Sequence, residues 1–201
     1  LGSLMQQAGE VLRADAQRSS REATALIGMI AFLASWAMLF AGLFFAWGLA
    51  RVRADAWPPS SVQAPPLGLP IVNTFVLAAS SAALVLGLSR LRRGAAAAIA
   101  PALWIAAALA IAFVALQLML WNEMWSAGLR PSSGQYGSLF YMLTWVHAAH
   151  VGIGIAALVW LAVRASAGAY SPGRHTAVRL WSMYWHFVGV AWAFLFVMVF
   201  L

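Results

Sequence analysis

The 201-residue chain contains no cysteine and, although basic overall at +7, no lysine. The first absence excludes disulfides, iron–sulfur clusters and thiolate metal sites, and it leaves the redox compartment open. Charge of either sign is scarce, at 8% of residues against roughly 25% in a soluble domain. What charge there is stands outside five stretches, 23–50, 56–89, 94–122, 131–163 and 180–201. No Asp, Glu or Arg occupies the middle of any of them, so the intramembrane ionisable groups of a proton pump or ion-coupled carrier are missing. Inverted repeats and paired broken helices, the marks of many transporters, are missing too.

What the chain has is apolar length. It is 64% hydrophobic, with a mean hydropathy of +0.84. Each uncharged stretch holds the ~20 apolar residues that cross ~30 Å of hydrocarbon as a helix, and a helix satisfies its backbone groups within the segment. These features predict an all-α integral membrane protein with five spans, near 25–50, 70–88, 95–121, 138–163 and 180–201. Residues 1–22 form a separate arm. Leu1, Leu4, Met5, Ala8, Val11 and Leu12 recur at helical spacing opposite Gln6, Gln7, Glu10 and Arg13, which predicts an amphipathic helix on a membrane surface. The arm has no continuous apolar run, so no cleavable signal is expected in it.

Arginine sets the orientation. Arg13, Arg18, Arg21, Arg90, Arg92, Arg93, Arg164, Arg174 and Arg179 fall on one side, and Arg51, Arg53 and Arg130 on the other. The positive-inside rule then puts the N-terminus inside and the C-terminus outside. In so apolar a chain the basic excess reads as loop charge and not as nucleic-acid binding. The first loop holds five of the eight prolines between Trp57 and Pro70 and is expected to be ordered. Trp57, Trp121 and Trp125 suit the aromatic belt at the membrane interface.

The polar candidates inside the spans are three histidines. His147 and His150 lie three apart on one helix face, and His186 lies in the fifth span. Haem or metal ligation by two facing helices needs matched depth. Counted from the outer ends at ~1.5 Å per residue, His147 and His186 differ by roughly 9 Å, so the expectation is hydrogen bonding within the bundle and no cofactor. Ser80, Ser81, Ala82 and Ala83 in the second span, and Gly152 and Gly154 in the fourth, suit close helix packing. The turn around Gly134, Tyr136, Gly137 and Ser138 lacks the Lys and Ser/Thr of a phosphate loop and reads as a tight turn capped by Ser138.

Three segments in order carry a resemblance: LPIVNTFVLAASSAALV (69–85), PSSGQYGSLFYMLTWVHAAHVGIG (131–154) and YWHFVGVAWAFLF (184–196). Together they resemble subunit III of the haem–copper oxidases, the cytochrome c and quinol oxidase superfamily. The resemblance covers residues 25–201. It implies the five-helix bacterial form in the cytoplasmic (inner) membrane, with a lipid cleft dividing a two-helix from a three-helix group. It also implies a non-catalytic, lipid-binding subunit of a proton-pumping respiratory oxidase that reduces oxygen in aerobic electron transport. Its partners would be subunit I, subunit II and membrane phospholipid, with haem and copper in the partner subunits.

His147, His150, Trp185, His186, Asn73, Ser80 and Ser81 match the family pattern and would, with Trp57, face lipid or a helix interface. Trp36, Leu120 and Gly189 stand where the family often has carboxylates. Two other readings remain: the related accessory subunit of nitric oxide reductases, and, from another class, a small membrane channel or transporter.

Overall fold

The computed structural model describes residues 2–60, 62 and 64–201. Five helices are formed: α1 (Gly2–Arg53), α2 (Gly68–Arg92), α3 (Ile99–Ser126), α4 (Gln135–Ser166) and α5 (Thr176–Phe200), with a short 3-10 turn at Ala96–Ala98 before α3. All five are long and apolar enough to span a membrane, so this is a multi-pass membrane protein. α2 and α4 run a few residues past their expected spans at both ends, and α3 starts at Ile99, four residues later than expected, behind the 3-10 turn.

α1 has 52 residues, which at ~1.5 Å each is about 78 Å and far longer than one crossing. The expected arm is continuous with the span. No helix-breaking residue separates them, and Ser19 and Thr24 donate back to the carbonyls of Ala16 and Ser20 within the helix. An unbroken axis carries the arm off the end of the bundle, which differs from a helix lying flat on a surface. Of the arm's apolar face, the side chains of Leu1, Leu4, Met5, Ala8 and Val11 lie outside the described residues; Leu12 is exposed.

α2, α3, α4 and α5 form a closed ring in which each helix touches the next and α5 returns to α2, whereas α1 packs outside against α5 and α4. Among the described residues α1 and α2 make no helix contact. The reason lies in α2. Its Gly87 backs directly onto Ala102 with no room for a Cβ, Ser80 donates to the Ala106 carbonyl at 2.9 Å, and Asn73 reaches Gln117. Small residues and buried polar pairs are what bind helices in lipid, and α2 spends them on α3 and α5. α1 is sparsely covered by the protein.

The remaining turns bring the expected loops into place. Trp57 is half-buried and stacks edge-on against Trp47 and Tyr136, each at 4.9 Å between centroids, so the proline-rich loop closes over one end of α1 and α4. Gly134, at φ +96°, starts α4 in a conformation suited to glycine. Ser138 does not cap that helix as expected. It lies one turn inside it, where its hydroxyl donates to the carbonyls of Pro131 and Gly134 at 2.7 and 3.0 Å.

Candidate functional site

α4 buries His147 and His150 toward α1 and α5. The His150 Nδ1 lies 2.6 Å from the Val146 carbonyl. A carbonyl only accepts, so Nδ1 carries the proton and donates it, and Nε2 is left as a bare acceptor. Among the described residues that Nε2 has no partner, and neither has the nearby indole Nε1 of Trp36. The Trp36 and His150 rings meet at 3.9 Å between centroids and 86°. Tyr184 of α5 donates to the His150 carbonyl at 3.0 Å.

His147 is 1% exposed, and among the described residues neither of its nitrogens has a partner. Its neighbours are the rings of Phe40, Phe113 and Trp192. Among the described residues no third His, Cys, Asp or Glu joins the pair. The two imidazoles are therefore set in an aromatic cage, with Trp36 in the position where the resemblance implied a carboxylate.

His186 belongs elsewhere. It is half-buried on α5 and lines a cavity of about 320 Å³ with Thr74, Ala78, Ser81 and Gly189 on the groove between α2 and α5. It also lines the next cavity along that groove, of about 400 Å³, with Ser89, Arg92, Arg93 and Ser182. On the other side of α5, a third cavity of about 310 Å³ lies against α1, with Ala37, Phe40, Phe44, Phe187 and Phe194, and shares Val190 with the α2 side. The face of α5 between α1 and α2 is thus an apolar trough. Gly189 leaves it open, and a Cβ there would lie 3.8 Å from Ser81 Oγ, an ordinary contact.

Trp185, Ser80 and Asn73 are contacts between helices. The Trp185 Nε1 donates to Ser80 Oγ at 3.1 Å, and Ser80 passes its own proton to α3, so one hydroxyl joins three helices. One level farther along, Trp192 Nε1 donates to Thr74 Oγ1 at 3.0 Å. Asn73 Nδ2 donates to Gln117 Oε1 at 3.4 Å, both residues being buried. Trp47 Nε1 donates to the Met198 carbonyl at 2.8 Å and holds α1 to the end of α5. Leu120 is fully buried.

Sequence reasoning missed the Trp192–Thr74 link, the Trp36–His150 contact and the polar end of the α2–α5 groove. The first was visible: Trp185 and Trp192 are seven apart and Thr74 and Ser80 six apart, so two indoles and two hydroxyls share a level on facing helices. The groove had no signal along the chain, because its walls come from residues about a hundred positions apart.

The geometry is that of a packed helix bundle with a groove along α5. The family described as cytochrome c oxidase subunit III matches residues 16–201. A probable cytochrome c oxidase subunit 3 of Nocardia farcinica is 34% identical over 175 residues, covering 87% of this chain and 86% of its own length. The subunit 3 of Thermostichus vulcanus is 31% identical over 179 residues, 88% of this chain and 86% of that protein. The platypus (Ornithorhynchus anatinus) protein is 34% identical over 179 residues, 86% of this chain and 67% of its own. A bundle of five apolar helices tied by indole–hydroxyl bonds, matched over nearly its whole length, belongs to the cytochrome c oxidase subunit III family, the structural subunit of a multi-subunit terminal oxidase.

Proposed function

We propose that the chain is a lipid-holding scaffold whose main contact in that complex is subunit I, and that it sits in a bacterial cytoplasmic membrane with its N-terminus inside. Haem and copper belong to the partner subunits. The observation that carries the reading is the trough on α5. It runs between α1 and α2, is lined by Phe44, Phe187, Val190 and Phe194, and is too apolar for water and open to the bilayer. A trough of this kind is filled by acyl chains, which match its surface.

The test is purification of the full chain from its membrane in mild detergent. Haem-containing chains are expected to co-purify, together with phospholipid that survives gel filtration. The separated chain is expected to show no haem absorbance. Stoichiometric haem or copper retained by the separated chain would overturn the reading.

A further inference from the structure

The two cavities between α2 and α5 form one groove with unlike ends. From Thr74 to Arg93 the α2 wall spans nineteen residues, about 28 Å at ~1.5 Å each, close to the ~30 Å of the hydrocarbon core. Along most of that length the lining is Leu77, Ala78, Leu84, Val85 and Val190. At the far end it changes to Ser89, Arg92, Arg93 and Ser182.

Among the described residues no carboxylate lines this end of the groove. The chain's five carboxylates, Glu10, Asp15, Glu22, Asp55 and Glu123, all lie on other elements. Ser182 is only 5% exposed, and among the described residues its hydroxyl has no hydrogen-bond partner, nor have the side chains of Ser89, Arg92 and Arg93. Ser182 is a buried residue that lines the cavity, and two adjacent guanidinium groups repel each other. Both features mark a place completed by an anion with several acceptor oxygens.

We propose that this end of the groove is a headgroup site for an anionic phospholipid. Its phosphate is held by Arg92, Arg93, Ser89 and Ser182, and an acyl chain runs past His186 along α5. Guanidinium groups pair with phosphate through two parallel N–H bonds, and hydroxyls donate to the remaining oxygens. The apolar continuation selects a lipid phosphate over a free one. The net negative headgroup is selected over a zwitterionic one because Arg92 and Arg93 bring two adjacent positive charges to this end of the groove. The inference rests on the reading that lipid fills the α5 trough, and adds where the headgroup sits and which charge it carries.

The full chain, reconstituted into nanodiscs of mixed phosphatidylglycerol and phosphatidylcholine and released into mild detergent, is examined for retained lipid by native mass spectrometry. The intact chain is expected to retain phosphatidylglycerol with a preference on the order of tenfold. The double variant Arg92→Gln/Arg93→Gln loses the preference, and Arg51→Gln/Arg53→Gln at the opposite end keeps it. Ala78→Phe, which fills the apolar part, lowers retention of both lipids. Elution as a single species confirms that each variant is folded.

Equal retention of the two lipids by the intact chain, or an undiminished preference in Arg92→Gln/Arg93→Gln, overturns the headgroup site while leaving the lipid trough standing. Displacement by millimolar inorganic phosphate overturns it in favour of a free-anion site. A photo-crosslinker at position 85 that captures another protein chain in the assembled complex overturns it in favour of a protein interface. Retention of neither lipid overturns the trough as well.

Discussion

Ser80 shows how much one small side chain does in lipid. It accepts the Trp185 indole proton and donates to the Ala106 carbonyl, so its loss strands a buried N–H. Interhelical hydrogen bonds in membranes average about 0.6 kcal/mol and reach about 1.7. Ser80→Ala is expected to cost on the order of 1 kcal/mol in reversible unfolding of the reconstituted chain. In a double-mutant cycle with Trp185→Phe the two losses should be strongly non-additive, and full additivity would show that the bond contributes nothing. His147 is the opposite case. Among the described residues its nitrogens have no partner, so His147→Leu removes a buried polar ring and keeps the volume. The expected outcome is unchanged or greater stability, whereas a loss above about 2 kcal/mol would mean that the imidazole has a partner in the membrane. In the sequence all three histidines looked alike, and only their surroundings separate two caged rings from one that lines a groove.

At the scale of elements, glycines decide how close the helices come, but not all of them do. Gly154 lies where a Cβ would meet the Trp185 ring at 2.6 Å, and Gly87 where it would strike Ala102, while Gly152 has nothing within 4 Å. Gly154→Val and Gly87→Val are therefore expected to destabilise the bundle by about 1–3 kcal/mol through overpacking, and Gly152→Ala to be neutral. The three variants are compared by denaturant titration of the reconstituted chain. Equal effects at 152 and 154 would contradict the packing of α4 on α5. The sequence marked both α4 glycines as packing residues, and the contact surface uses one. Which of two glycines two residues apart faces a neighbour depends on the rotation of the helix about its axis, and that is settled by the indole it meets.

For the whole molecule, five alternating crossings put nine of the twelve arginines at one end of the bundle. The absence of cysteine makes the orientation directly measurable, because any introduced thiol is the only one present. Ser132→Cys in the loop before α4 is expected to react with a membrane-impermeant reagent on intact cells, and Ala167→Cys in the loop after α4 only after permeabilisation. The reverse pattern would invert the proposed topology.

The sequence by itself determined that the chain has five helices long and apolar enough to span a membrane, and which loops carry arginine. These follow from the cost of burying charge and unpaired backbone in hydrocarbon, a cost paid locally along the chain. Only the tertiary structure decided which helices are neighbours, that α2 closes a four-helix ring while α1 stands outside it, and that Ser182 and Arg92 share one groove. Lipid tails are as apolar as leucine, so hydrophobicity does not tell a helix which face to bury. That choice falls to shape and to a few hydrogen bonds between residues far apart in the chain.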